Sequence, residues 1–183
     1  MTPAVAGSAV LRRRIRARGD AVTGDAGAAH DVRLRAVEDS DLDVFFDHQA
    51  DPEAVAMAAF PARDRDQFAA HWAKIRADDT LVLRTIVADG MVAGNIGSWP
   101  ENGQWLIGYW IGREHWGRGV ATRALARLVD EVPTRPLYAH VAVHNTGSIR
   151  VLQKCGFRRD RAQEAQAPAP DDGIEEYIFV LGA

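Results

Sequence analysis

The chain has 183 residues, the length of one ordinary domain, and 47% of them are hydrophobic, enough to build a core. Charged residues make up 26%, the net charge is −3, and the lone cysteine, Cys155, excludes an intramolecular disulfide and a cysteine-based zinc cluster. No apolar run approaches the ~20 residues of a membrane span, so the expectation is a cytoplasmic protein with no membrane partner.

The first thirty residues contain no aromatic side chain and are rich in Ala, Gly and Arg. Five arginines against two aspartates give them +3, which leaves −6 on residues 31–183. They read as a disordered basic extension. "RRRIRAR" is followed by no apolar stretch, so it is no secretory signal. Contact with nucleic acid or a ribosome through this arm is the sharper alternative.

Next comes "DVRLRAV" (Asp31–Val37), which alternates and predicts a first strand. Ser40 is the expected N-cap of a helix carrying Leu42, Phe45 and Phe46. Phe68, Trp72 and Ile75 at steps of four and three predict a second helix. "LVLRTIVA" and "MVAGNIGSW" are β-rich runs joined by Asp89-Gly90, a pair suited to a type I′ hairpin because both positions need positive φ. Gln104–Gly112 is a further strand, in which Gly108 marks a bulge or a close backbone approach. "HWGRGVATRALARLV" follows, with Ala121, Ala124, Leu125, Leu128, Val129 and Val132 on one helical stripe. A strand at Leu137–Val143, a short helix capped by Asn145 or Thr146 and ended at Gly156, a loop "APAPDDG", and a strand "EEYIFVL" complete the order. The class is α/β (α+β).

The glycine turn Gly117-Arg118-Gly119 joins a strand to a helix. A nucleotide P-loop needs Gly-Lys-Ser/Thr, and no lysine is present. A dinucleotide fingerprint needs a third glycine where Thr122 stands and an acid about twenty residues on, and neither is there. The surviving readings are a plain tight turn and a pyrophosphate site. Free N–H groups and the helix dipole favour an anion there, and Arg118 adds a cation.

"YWIGREHWGRGVATRAL" followed by "LYAHVAVHNTGSIRVLQKCGF" resembles the GNAT superfamily of acyl-CoA-dependent N-acetyltransferases. It is most similar to the branch of ribosomal-protein N-terminal acetylases of the RimJ/RimL kind, in which tryptophan is common where Trp116 stands. The resemblance spans residues 31–183 and implies a GNAT fold: a mixed, mostly antiparallel sheet with one splayed strand pair and flanking helices. It implies acetyl-CoA as acyl donor, a primary amine as acceptor (a peptide N-terminus or a small molecule), and no metal. The state would be a monomer or a homodimer.

By the same resemblance, Trp110, Ile111 and Gly112 offer backbone hydrogen bonds to the pantetheine arm. Gly117, Arg118, Gly119, Val120, Ala121 and Thr122 receive the pyrophosphate. Asn145 bonds the arm or backbone near it. Ser148, on the same side of the helix, donates to the departing sulfur. Outside what the resemblance assigns, Tyr109 is a second catalytic candidate, as a residue able to approach the acceptor. Arg150 and Lys154 reach towards phosphates or are simply solvated. Attack of an amine on the thioester needs backbone N–H groups for the oxyanion and a route for one proton. Relatives supply a glutamate where Leu106 stands or a tyrosine where Leu152 stands, so both usual proton carriers are missing. Glu101, His48 and His144 are other candidates to approach the acceptor. His140 and His144 lie too far apart on a strand to share a metal. Asp47, Asp51 and Glu53 are candidates to attract an ammonium group. The alternative function is an acyl-CoA-binding sensor or partner protein with little catalysis, on the strength of Leu106 and Leu152.

Overall fold

The computed structural model describes residues 31–167 and 173–182; the expected basic extension and most of the "APAPDDG" loop lie outside them. Strand β1 (Val32–Arg35) opens the chain, and helices α1 (Asp41–Ala50), α2 (Pro52–Ala58) and α3 (Arg65–Arg76) follow. Then come β2 (Val82–Ala88), β3 (Met91–Glu101) and β4 (Gln104–Ile111), a 3₁₀ turn at Arg113–His115, and α4 (Val120–Glu131). The chain closes with β5 (Leu137–Ala142), α5 (Thr146–Lys154), β6 (Arg158–Arg159), α6 (Arg161–Glu164) and β7 (Glu176–Leu181). The sheet order is β1-β2-β3-β4-β5-β7-β6, and every neighbouring pair is antiparallel except β4–β5. This is the expected mixed sheet.

Strand periodicity decides which helix covers which face. On β4, Ile107, Tyr109 and Ile111 join the main core with Val120, Ala124, Leu125 and Leu128 of α4. Trp110 points the other way, into a small cluster with Ala54 and Ala58 of α2. Phe45, Phe68, Trp72 and Ile75 form a third cluster under α1 and α3, with Phe45 and Trp72 rings 5.0 Å apart. The predicted helical stripes are thus the buried ones.

Four expectations need correction. Ser40 holds the N-cap position but makes no side-chain capping bond; the first-turn N–H groups of Asp41 and Leu42 donate instead to the Glu38 and Asp39 carbonyls, and the Asp41 carboxylate accepts from the Glu38 N–H and, bidentately, from Arg35 at 2.6 Å. Burial alone would raise the Asp41 carboxyl, but Arg35, Thr85 and the Glu38 amide hold it below its ordinary value. Helix α2 was not anticipated, although Asp51-Pro52 is a start signal: Asp51 caps it and Pro52 sits in its first turn. Neither were the short β6 and α6. There is no bulge at Gly108, because β3–β4 pairing is unbroken from Gly94↔Ile111 to Glu101↔Gln104. The irregularity lies between Ile86 and Val87, opposite β3. Asp89 (φ +51) and Gly90 (φ +83) do form the expected hairpin turn.

Candidate active site

Strands β4 and β5 pair only at Trp105↔Leu137 and Leu106↔Tyr138. Beyond Leu106 no strand among the described residues lies beside this edge of β4, which opens a V in the sheet. The glycine turn and α4 close one side of the V, and α5 closes the other. Gly117 and Gly119 both have φ +74, a left-handed conformation that costs an ordinary residue about 1–2 kcal/mol. Gly119 is the N-cap of α4 and supplies no side-chain cap, so the first-turn N–H groups keep no protein partner of that kind. Two side chains brace the turn: the Trp116 indole donates to the Ile111 carbonyl (2.8 Å), and the Arg123 guanidinium to the Arg118 carbonyl (3.1 Å). Between turn and α5 lies a cleft of about 240 Å³. Gly117, Gly119, Val120, Ala121 and Thr122 form one wall, and Gly147, Arg150, Val151 and Lys154 the other.

The structure therefore brings most of the predicted pyrophosphate residues together, with one exception. Arg118 does not line the cleft; its guanidinium lies 3.8 Å from Asp89 on the β2–β3 hairpin. The cations facing the cleft are Arg150 and Lys154, one helical turn apart on α5. That i, i+4 spacing was legible but gave no reason to prefer them over solvated charge. His115 also lines the cleft and is buried, and its pKa is lowered chiefly by that burial, which keeps the ring neutral.

The three β4 residues divide. The Gly112 N–H donates to the Ala93 carbonyl (2.9 Å), so it faces β3. A Cβ on Gly94 would collide with the Trp110 carbonyl, so that group faces β3 too. With a two-residue alternation, the main-chain groups of Ile111 and Tyr109 are the ones that face the V. Trp110 is tied elsewhere, its indole donating to the His48 carbonyl at 2.9 Å.

Asn145 and Ser148 sit at the N-terminus of α5, both buried. Asn145 is the N-cap, its Oδ1 accepting from the Ser148 N–H (3.0 Å), and its buried Nδ2 has no partner. The Tyr109 hydroxyl donates to Ser148 Oγ at 3.0 Å. Burial drives the Tyr109 pKa well above its ordinary value, the Ser148 contact only partly opposing it, so the phenol stays protonated.

The other candidates scatter. Glu101 accepts from the Trp99 indole at the β3–β4 turn, at the opposite end of β4 from Ile111. His144 Nε2 contacts the Ala56 carbonyl at 3.2 Å. His140 pairs with Glu176 (3.3 Å), and among the described residues no group of three or more His, Cys, Asp or Glu could hold a metal. His48 is buried behind Gly112 and meets Glu114 at 3.1 Å. Asp51 and Glu53 are both engaged by Arg113, each at 3.0 Å, so neither waits for an ammonium group. Asp47 is exposed. Leu152 is in the core, and Leu106 lies at the point of the V. Cys155 is half-buried, with burial raising its thiol pKa.

A parallel strand pair that splays beside a glycine turn and a helix N-terminus defines the acyl-CoA-dependent acetyltransferase class. The chain belongs to the acetyltransferase (GNAT) domain family, whose model matches residues 31–158. It is 34% identical over 85 residues to an uncharacterized N-acetyltransferase p20 of Bacillus licheniformis, covering 44% of this chain and 48% of that one. A probable N-acetyltransferase YjcK of Bacillus subtilis is 37% identical over 59 residues, 30% of this chain and 33% of that one. The chain thus spans about half of one of these curated relatives and a third of the other. A spermidine N-acetyltransferase from Vibrio cholerae, solved with CoA and spermine, superposes with a TM-score of 0.67 at 18% identity, over 81% of this chain and 92% of that one. At that identity the likeness speaks for the fold. No helix among the described residues is long and apolar enough to cross a membrane.

Proposed function

We propose that the protein is an N-acetyltransferase that moves an acetyl group from acetyl-CoA to a primary amine. The observation that carries this is the cleft itself, where unpaired helix-start amides and two cations on α5 converge beside an open strand edge. Val120, Ala121 and Thr122 amides with Gly119 receive the pyrophosphate, and Arg150 and Lys154 neutralise it. The Ile111 N–H, its carbonyl being held by the Trp116 indole, and the Tyr109 main-chain groups align the pantetheine arm, and the orphaned Asn145 amide is a further donor nearby.

In the reaction the amine nitrogen attacks the thioester carbon, the C–N bond forms, the C–S bond breaks, and sulfur leaves as thiolate. Ser148 supports the departing sulfur by hydrogen bonding, held in place by Tyr109 and Asn145. Full proton transfer from Tyr109 is disfavoured. A phenol near 10 is already about 1.5 pKa units above a thiol near 8.5, roughly 2 kcal/mol uphill, and burial widens the gap. Tyr109 is therefore a positioning residue. With Leu106 and Leu152 as hydrocarbon, the amine's proton leaves through water. That favours an acceptor already partly neutral at pH 7, such as the α-amine of a peptide, whose pKa is about 8. The ribosomal-protein N-terminal acetylase branch fits this choice, and Trp116 with the Asn-x-x-Ser of α5 supports it.

Thiol release from acetyl-CoA, measured with peptides, polyamines, amino acids and aminoglycosides, tests the reading. Acceptor-dependent release supports it. Tight acetyl-CoA binding with no release to any amine favours the second reading, a cofactor-binding protein, for which Leu106 and Leu152 are the specific observation.

A further inference from the structure

The face of β4 that carries Trp110 bounds a second, smaller cavity of about 30 Å³, between α1, α3 and the α2–α3 connection. Its polar lining is Gln49, Arg63, His71 and Asn95, with the Phe60 and Trp110 rings beside them. Asn95 is the register partner of Trp110, so this cavity lies against the same stretch of β4 that the V leaves open. The volume suits a group of a few heavy atoms.

Its electrostatics are one-sided. Arg63 is half-buried and forms no ion pair with a carboxylate among the described residues. Its guanidinium makes one long hydrogen bond, to Gln49 Oε1 at 3.4 Å, and lies 4.8 Å from the Phe60 ring centroid. Gln49 is only 8% exposed, and its Nε2 is buried without a partner. Because Arg63 holds the oxygen end, reversing the amide would set donors against donors, so the orphan is an N–H₂ group. His71 is pushed down to about 4 by burial and by Arg63 and Lys74, so it adds no charge near pH 7. The cavity therefore offers one uncompensated cation and one unsatisfied buried donor. An unpaired donor of this kind is costly unless a ligand fills its place.

We infer that the acceptor carries a carboxylate close to its amine, and that Arg63 and the Gln49 amide receive that carboxylate in this cavity. The inference rests on the acetyl-transfer reading. An ammonium group alone, as in a polyamine, meets repulsion from Arg63. A carboxylate gains a charge-assisted pair with Arg63 and satisfies Gln49. Two sources supply this chemistry: an acidic first residue of a peptide, or the α-carboxylate of a free amino acid.

Matched acceptors test it. One arm compares peptides beginning with Asp or Glu against the same peptides beginning with Asn or Gln. The other compares free amino acids with the corresponding decarboxylated amines at equal concentrations of neutral amine. The carboxylate member of the pair should win in one arm by roughly tenfold or more in kcat/KM, and that arm names the source. Arg63→Met should abolish the preference, bringing kcat/KM for the carboxylate member down to that of its uncharged partner. Gln49→Glu, nearly isosteric, should pair with Arg63, cancel its charge and remove the preference, which guards against a misfolded Arg63 variant. Equal rates within both arms, or a preference that survives Arg63→Met, overturn the inference while leaving acetyl transfer standing. No acetyl transfer to any amine overturns both.

Discussion

Replacing Gly119 separates an anion site from an ordinary tight turn. At φ +74 an alanine pays the left-handed penalty of about 1–2 kcal/mol. Its Cβ would also stand 3.0 Å from an Arg123 guanidinium nitrogen. That contact is the far end of a flexible side chain, so Arg123 yields and at most loses its bond to the Arg118 carbonyl. For a domain of this size, 1–2 kcal/mol lowers Tm by roughly 2–8 °C. Gly103 is the control: it has φ +80 at the β3–β4 turn, with nothing within 4 Å of an added Cβ. Gly103→Ala should show similar strain and leave acetyl-CoA affinity unchanged. Gly119→Ala should weaken binding about tenfold or more, because one displaced amide–phosphate contact is worth ~1.5–3 kcal/mol. Gly119→Glu, which adds a negative charge, should abolish it. Thermal shift and calorimetric titration with acetyl-CoA read both quantities. If Gly119→Ala lowers Tm yet binds acetyl-CoA as the wild type does, the turn is structural and the cleft has been misread.

Other outcomes follow from the same geometry. Ser148→Ala should lower kcat by roughly ten- to a hundredfold with little change in acetyl-CoA affinity, and Tyr109→Phe should lower it less, with no loss of a pH limb below 10; a Tyr109→Phe enzyme with a shifted pH profile would refute a purely positioning role. Joint reversal of Arg150 and Lys154 to Glu should weaken acetyl-CoA binding and flatten its salt dependence in a titration series. Arg35→Met should cost about 2–3 kcal/mol in urea unfolding, below the full cost of breaking a buried pair because the guanidinium is partly exposed. The stability that Asp41 contributes is present above the ordinary carboxylate pKa and lost as pH falls through its lowered native value. His71 adds a loss at higher pH: between about 6.5 and 4 the unfolded chain binds a proton that the native ring refuses, so stability falls on acidification across that window. His71→Gln should flatten this part of the curve.

Local pattern carried much of this protein. The spacing of Phe68, Trp72 and Ile75, the Asp89-Gly90 pair and the alternation of β4 each report a short-range preference that the fold kept. The glycine turn was legible because left-handed φ demands glycine wherever it occurs. The start of α2 was legible in Asp51-Pro52 too, yet its seven residues span only about two turns, too few for a helical period to show.

What sequence alone left open depends on direction and on distance across the chain. Arg118 stands inside the motif but leans towards Asp89, while Arg150 and Lys154, thirty residues later, face the cleft. Which main-chain groups of β4 face the V follows from a single pairing, Gly112 to Ala93. Asp51 and Glu53 look like lures for an amine until Arg113, sixty residues on, is found holding both. Arg63 and Gln49 carried no sequence signal at all, since an arginine becomes a recognition group only where packing buries it without a carboxylate. Periodicity and turn chemistry act within a few residues, so the sequence determined the longer elements and the glycine turn but not the short α2, β6 and α6; charge pairing and burial act between elements, so only the tertiary structure decided which side chains remain unsatisfied and able to bind.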